Sequence, residues 1–396
     1  MIASLVTLVL SRDTFSPEGE RKEEYYLLLV LSVLGAVVLI QSSHMVSLLL
    51  GMELMGVALY AMIAFPERGQ LPLEAAIKYL VLSACASAML LYGFALIYAA
   101  TGELSYAGIG AKGALAYIEN PMLIMAGSAM VLAGIGFKLS VAPFHMWTPD
   151  VYQGAPTPVT GFLATVSKGA VFVALSRFYI DGGLDQYSGL NTALVVLAIA
   201  SMLVGNWLAL RQENIKRLLA YSSIAHFGYL LVVLIALTYV DAGLVSQSIT
   251  FYLTAYMVTT LAAFTVVSTV AGEDTAKQDI SAFEGLFWHR PLEASALTVA
   301  MLSLAGIPLT AGFMAKFFVI TLGIQSGLWG LLAALVVGSA VAIYYYLRVI
   351  YAMSKSTEST GESANRLEKL LALVLLASIL VLGSWPQPFI AYAGGL

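Results

Sequence analysis

Five charged side chains stand inside apolar runs: Glu53, Lys78, Lys138, Lys168 and Lys316. A charged residue at the centre of a membrane helix costs about 2.5–3.5 kcal/mol on insertion scales, so three central lysines with the glutamate together cost about 10 kcal/mol. That rivals a whole-fold stability of about 5–15 kcal/mol, which argues for a chemical role. Lys78 is the exception: it lies near the start of its run and can snorkel to the interface. The chemistry open to a desolvated lysine is proton carriage. Burial disfavours the ammonium, a nearby carboxylate favours it, and a change in the neighbour loads or unloads the proton. Glu53 and Lys138 would then titrate as one coupled pair. His145, just past Pro143, could relay protons between Lys168 and the second half of the chain, and His226, in "YSSIAHFGY", could act in the same way. A packing role suits a lone histidine beside Ser and Tyr equally well.

The elements that must position these residues follow from composition. Hydrophobic residues make up 60% of 396 and charged residues 11%, which excludes a soluble globular domain. The expected fold class is an all-α polytopic membrane protein. Eleven stretches are long enough to cross a hydrocarbon core as helices: 25–41, 45–65, 73–100, 122–147, 158–180, 190–210, 216–238, 244–271, 292–323, 327–352 and 366–385. The first ten residues, "MIASLVTLVL", are too short to span and do not read as a signal peptide. They read as the tail of a helix whose beginning is missing, so N-terminal truncation is expected.

Two of the eleven carry both a lysine and a helix-breaking proline. In the fourth, "LAGIGFKLSVAPFHM", Pro143 has no N–H to donate and is expected to leave the Leu139 carbonyl without its helical partner. In the ninth, "LAGIPLTAGFMAKFFVI", Pro308 does the same to Leu304, with Lys316 eight residues on. Broken backbone at membrane depth survives only where protein or water satisfies it, and in transporters it marks an ion pathway. The two segments lie five helices apart, and a tandem repeat of an odd number of spans is inverted across the membrane. The expected organisation is a helix remnant and cytoplasmic loop over 1–24, a first five-helix repeat over 25–180, a second, inverted repeat over 181–352, and a loop with a C-terminal helix over 353–396.

Thirteen Lys and Arg residues, Arg21, Arg68 and Lys216 at the edge of its span among them, fall on one set of loops and two, Lys112 and Arg177, on the other. By the positive-inside rule the first set is cytoplasmic and the C-terminus lies outside. A net charge of −4 with scattered basic residues gives no footprint for nucleic acid. Four distant histidines and a single cysteine, Cys85, offer no metal or iron-sulfur site. There is no Gly-rich nucleotide loop after a strand, so this chain is expected to bind no cofactor.

The runs "FKLSVAPFHMWTPDVYQGAPTPVTGFLATVSK", "ENIKRLLAYSSIAHFGY" and "AGIPLTAGFMAKF" closely resemble the subunit N family of the proton-pumping NADH-quinone oxidoreductase, respiratory complex I. The related antiporter-like subunits L and M share the lysines and broken helices but differ at "WTPDVYQGAP". The resemblance runs from about residue 22 to about 385. It implies a fourteen-helix fold with two inverted five-helix repeats, of which this chain keeps only the end of the third helix ahead of the first repeat. It also implies a midplane axis of charged residues and proton translocation driven by quinone chemistry elsewhere in the complex. On matching positions the family's glutamate falls on Glu53, its broken-helix lysine on Lys138, its bridging lysine on Lys168 and its outlet lysine on Lys316. The implied complex uses NADH, FMN, iron-sulfur clusters and quinone in other subunits. The partners are antiporter-like and small membrane subunits within the lipid bilayer of the cell inner (cytoplasmic) membrane. Two other readings are a multisubunit cation/proton antiporter working without NADH, and a scaffold that carries no ion. The "WTPDVYQGAP" run argues against the former and the buried lysines against the latter.

Overall fold

A computed structural model describes residues 1–14, 22–66, 70–272, 275–356 and 365–393, and the ordered elements there are helical. The chain opens with α1 (Ile2–Thr14), α2 (Lys22–Ile40), α3 (Met45–Ile63), α4 (Gln70–Thr101), α5 (Tyr106–Glu119) and α6 (Pro121–Leu139). Two short helices follow, α7 (Thr148–Gly154) and α8 (Thr157–Phe162), and α8 runs through a π-helical turn at Leu163–Ser167 into α9 (Lys168–Asp181). Next come α10 (Ser188–Ala209), α11 (Ile215–Ala236), α12 (Ala242–Ala271), α13 (Leu286–His289), α14 (Pro291–Ala305), α15 (Ala311–Gln325) and α16 (Trp329–Ser354). Last are α17 (Arg366–Ser384) and α18 (Gln387–Ala393).

Ten helical stretches among the described residues are long and apolar enough to cross a membrane. Ten of the eleven sequence spans overlap them, 122–147 running past the end of its helix at Leu139, and the remaining one, 292–323, is divided into α14 and α15. The burial pattern reflects two solvents. α11 is buried over nearly its whole length, whereas α2, α4 and α17 turn rows of Leu, Val and Ile outward, as lipid-facing helices do.

The two halves of the chain repeat one another in detail. In each, a long third helix (α4, α12) precedes a broken fourth one (α6/α7, α14/α15). In each, the turn between the first two helices pairs with the segment after the third through an isolated antiparallel bridge: His44 with Ser105, and Asn214 with Asp279. Close approach of the first two helices depends on glycine in both halves. A Cβ on Gly51 would come within 2.7 Å of the Leu39 amide nitrogen, and one on Gly205 within 2.8 Å of that of Ala225.

The position of the first break differs from the sequence expectation of a helix continuing to Pro143. α6 ends at Leu139, and Ser140 takes a left-handed conformation (φ 63°) with its amide on the carbonyls of Gly136 and Phe137. Proline also restricts the residue before it, so the chain leaves the helix upstream of the ring. Trp147 closes the turn by donating from Nε1 to the Phe137 carbonyl at 2.9 Å, and the Ser201 hydroxyl accepts the Ala142 amide at 2.8 Å. At the second break Gly306 (φ 86°) caps α14, and Leu309 is also left-handed (φ 72°).

Candidate functional site

The first cluster is built by three helices. On α3, Glu53, Gly56 and Tyr60 share a face; on α4, Tyr79, Ser83 and Ser87 stand one turn apart. Lys138 enters from the last turn of α6, where the negative end of the helix dipole favours a cation. Its Nζ donates to the Ser83 hydroxyl at 2.6 Å, the Tyr60 hydroxyl donates to the same oxygen at 2.6 Å, and Ser87 donates to Glu53. The rings of Tyr60 and Tyr79 flank the ammonium, with centroids at 5.9 and 5.6 Å. Lys138 is buried and Glu53 only half-buried. Glu53 acts on Lys138 electrostatically through space, each being held by a different serine of α4. A side chain at Gly56 would press on this arrangement, since its Cβ would lie 3.3 Å from Lys138 Nζ.

The second cluster surrounds Lys168, which is fully buried. The π-helical turn directly before it, at Leu163–Ser167, changes the facing of α9 relative to α8, and such turns recur at functional sites. Lys168 Nζ donates to the Ser223 hydroxyl at 2.8 Å, between the rings of Tyr152 at 5.3 Å and Phe227 at 5.4 Å.

Ser223 begins a stripe on α11. His226 and Tyr229 follow at three-residue steps, so all three share a face. His226 pairs through Nδ1 with the Tyr252 hydroxyl at 2.8 Å, and it shares a small cavity with Leu304, whose carbonyl Pro308 was expected to free. Tyr229 presents its ring to Lys316 at 5.2 Å. Lys316, on the second half of its broken helix, donates to the Ala305 carbonyl at 2.9 Å, at the negative end of α14. Gly306 leaves room for it, since a Cβ there would lie 2.8 Å from Lys316 Cδ. A cavity of about 10 Å³ opens beside His226, Tyr256, Thr259 and Ser303, the space of about one water.

The six residues singled out from the sequence are therefore divided. Glu53 and Lys138 belong to the first cluster, and Lys168, His226 and Lys316 lie along one face of α11, Lys168 on Ser223 and Lys316 over the Tyr229 ring. His145 is buried in the turn after α6 near the Pro143 carbonyl, and its Nδ1 has no partner among the described residues. It makes no hydrogen bond to Lys168 or His226 there. Sequence reasoning missed Ser83, Ser87 and Ser223, because serines are ordinary in membrane helices. It also placed Lys216 in a loop, whereas Lys216 is buried and donates to the Ala155 carbonyl at 2.6 Å.

Lys78 is held as expected of an interfacial lysine, half-exposed and paired with Glu74 at 2.7 Å and Asp150 at 2.8 Å. Asp150, on α7, also pairs with Arg217 of α11 at 2.7 Å, so it ties the first half of the chain to the second. Burial alone would raise the pKa of Asp150, but the hydrogen bonds from Lys78 and Arg217 outweigh it and hold the group below the usual carboxylate range. A depressed folded-state pKa contributes stability above the ordinary value and loses it as pH falls through the depressed one. Asp150→Asn should therefore cost about 1 kcal/mol at neutral pH, given partly exposed pairs, and cost nothing in strong acid. Thermal unfolding of both forms from pH 7 downward checks this, and equal melting temperatures at pH 7 would refute it.

Against known proteins, the family described as NADH:quinone oxidoreductase/Mrp antiporter, TM, matches residues 42–342. Among solved structures, a chain of respiratory complex I from Thermus thermophilus, with bound aureothin, superposes with a TM-score of 0.83 at 36% identity, over 98% of this chain and 84% of that one. A chain of the membrane-bound sulfane sulfur reductase, an archaeal respiratory membrane complex, gives 0.84 at 28% identity, over 99% and 80%. A chain of the Mrp complex from Dietzia sp. DQ12-45-1b gives 0.80 at 22% identity over 93% and 76%, a likeness of fold.

Proposed function

We propose, since the chain belongs to the NADH:quinone oxidoreductase/Mrp antiporter transmembrane family, that it is the subunit N-type proton-translocating membrane subunit of an NADH-quinone oxidoreductase. One observation carries this reading: two buried lysines, Lys168 and Lys316, flank one face of α11, Lys168 bonded to Ser223, Lys316 over the ring of Tyr229, and the ring of His226 set between them. Hydroxyl and imidazole groups can both accept and release protons, so Ser223 and His226 are the groups on this face that can carry a proton from Lys168 towards Lys316. In the proposal Glu53 and Lys138 form the loading pair, Lys168 bridges and Lys316 discharges. His145 borders the route at the first break. This chain moves protons, while NADH, FMN, iron-sulfur clusters and quinone are held by other subunits. Glu53 is only half-buried, so its exposed part is open to a neighbouring membrane subunit that can act on its charge.

The test is NADH-driven proton uptake in inverted membrane vesicles from cells lacking this chain and from cells with it restored. The reading expects uptake only with the chain present. Unchanged NADH-driven uptake, with loss of sodium/proton exchange instead, would favour the antiporter reading. Orientation is checked separately. The proposal puts the loops rich in Lys and Arg in the cytoplasm, and two of the residues in that count, Arg21 and Arg68, lie outside the described residues. A reporter after Leu396 should label the outer face of the inner membrane, and one in the 353–365 loop the cytoplasm. The reverse labelling would overturn the orientation.

A further inference from the structure

We propose that Asn206 is a proton-insulating plug separating Lys316 from the face of the protein that carries Arg348. A line of polar groups runs between the two. The ring of Tyr229 lies under Lys316, the Tyr229 hydroxyl accepts from Asn206 Nδ2 at 2.9 Å, and Asn206 Oδ1 accepts from the Tyr345 hydroxyl at 2.9 Å. One turn further along α16, Arg348 donates to the carbonyls of Leu210 and Gln212. It does so at the edge of a cavity of about 460 Å³ that also holds Glu213, Asp279 and Glu284.

Hydroxyls placed along such a line would pass protons, because each can accept one and release another. A carboxamide in the middle cannot. Its oxygen has no proton to give and its nitrogen has no free lone pair to receive one. Both amide hydrogens of Asn206 are committed, the second to the Met202 carbonyl at 2.7 Å, so the group is fixed in orientation. It is 1% exposed. Gly338 of α16 closes the space beside it, since a Cβ there would lie 2.7 Å from Asn206 Nδ2 and 3.2 Å from the Tyr229 hydroxyl. The backbone of α16 is therefore packed tightly against this side of the amide. A site that exchanges protons with one face of a membrane must not equilibrate with the other at the same time, or the gradient collapses.

This inference rests on the reading of Lys316 as a proton carrier. Its test uses the assembled complex in inverted vesicles, with proton yield per NADH oxidised measured beside the decay of an imposed pH gradient at rest. Asn206→Asp keeps the size and installs a group that accepts and releases protons. It should let NADH oxidation continue while the yield falls and the gradient decays severalfold faster. Asn206→Leu and Tyr345→Phe carry no proton and should keep the wild-type yield with tight vesicles. Wild-type yield and tightness in assembled Asn206→Asp would overturn the plug. Loss of pumping in assembled Asn206→Leu or Tyr345→Phe would overturn it too, making the line a conduit. Should Asn206→Asp not assemble, those two variants decide alone. Failure of the underlying reading looks different, because wild-type vesicles would then show no NADH-driven uptake dependent on this chain.

Discussion

Exchanging Lys138 for alanine should stop NADH-driven proton uptake while the complex still assembles. The ammonium is held by Ser83 between two tyrosine rings, and Glu53 acts on it without touching it. With alanine nothing at that depth replaces the lysine as a proton-holding group. A positioned proton-transfer group contributes about 10²–10⁴-fold, so uptake should fall by about a hundredfold or more. Lys138→Arg separates two roles. A guanidinium keeps its proton at physiological pH, so a carrier should fail with arginine, while a merely structural cation should survive the exchange. Uptake in vesicles, normalised to assembled complex, reads the difference. Arginine working nearly as well as lysine would leave Lys138 as a fixed charge.

Lys316→Ala should also abolish pumping, with assembly intact. The half-helix break it serves is capped independently of the lysine, by the Gly306 and Ile307 amides on the Leu302 carbonyl. Removing the side chain therefore leaves the break in place and takes away the charge at the end of α14. A loss comparable to that of Lys138→Ala is expected, since a proton route in series is limited by its slowest step. Normal uptake in an assembled Lys316→Ala complex would reduce the second break to a structural feature. Gly306→Ala should show an intermediate loss, because a Cβ at φ 86° is strained and strikes Lys316 Cδ.

Much of this architecture was legible before any coordinates. Spans are long apolar runs, and length alone sets them. The buried lysines stand out because charge in hydrocarbon is costly. The breaks were located only roughly, since Pro143 announces a discontinuity that the backbone makes at Ser140, a residue that does not advertise a left-handed turn. The groups that hold the lysines were not legible. Ser83, Ser87 and Ser223 look like any small helix residues, and their roles come from which helices meet. The π-helical turn before Lys168 likewise has no sequence mark in the Leu, Ala, Thr, Val and Ser that form it. Lys216 was misplaced because it sits second in α11, where hydropathy puts an interface and packing against Ala155 puts an interior.

The two breaks carry their lysines on opposite sides: Lys138 before the left-handed residue, on α6, and Lys316 after it, on α15. An inverted pair with identical charges would be a palindrome. Turning it over would map it onto itself, and it would have no built-in reason to send charge one way in preference to the other. Moving one lysine across its break destroys that equivalence while leaving the scaffold alike in both halves. Under the proposed function, the polarity of transport is thereby written into where two ammonium groups sit on a shared frame.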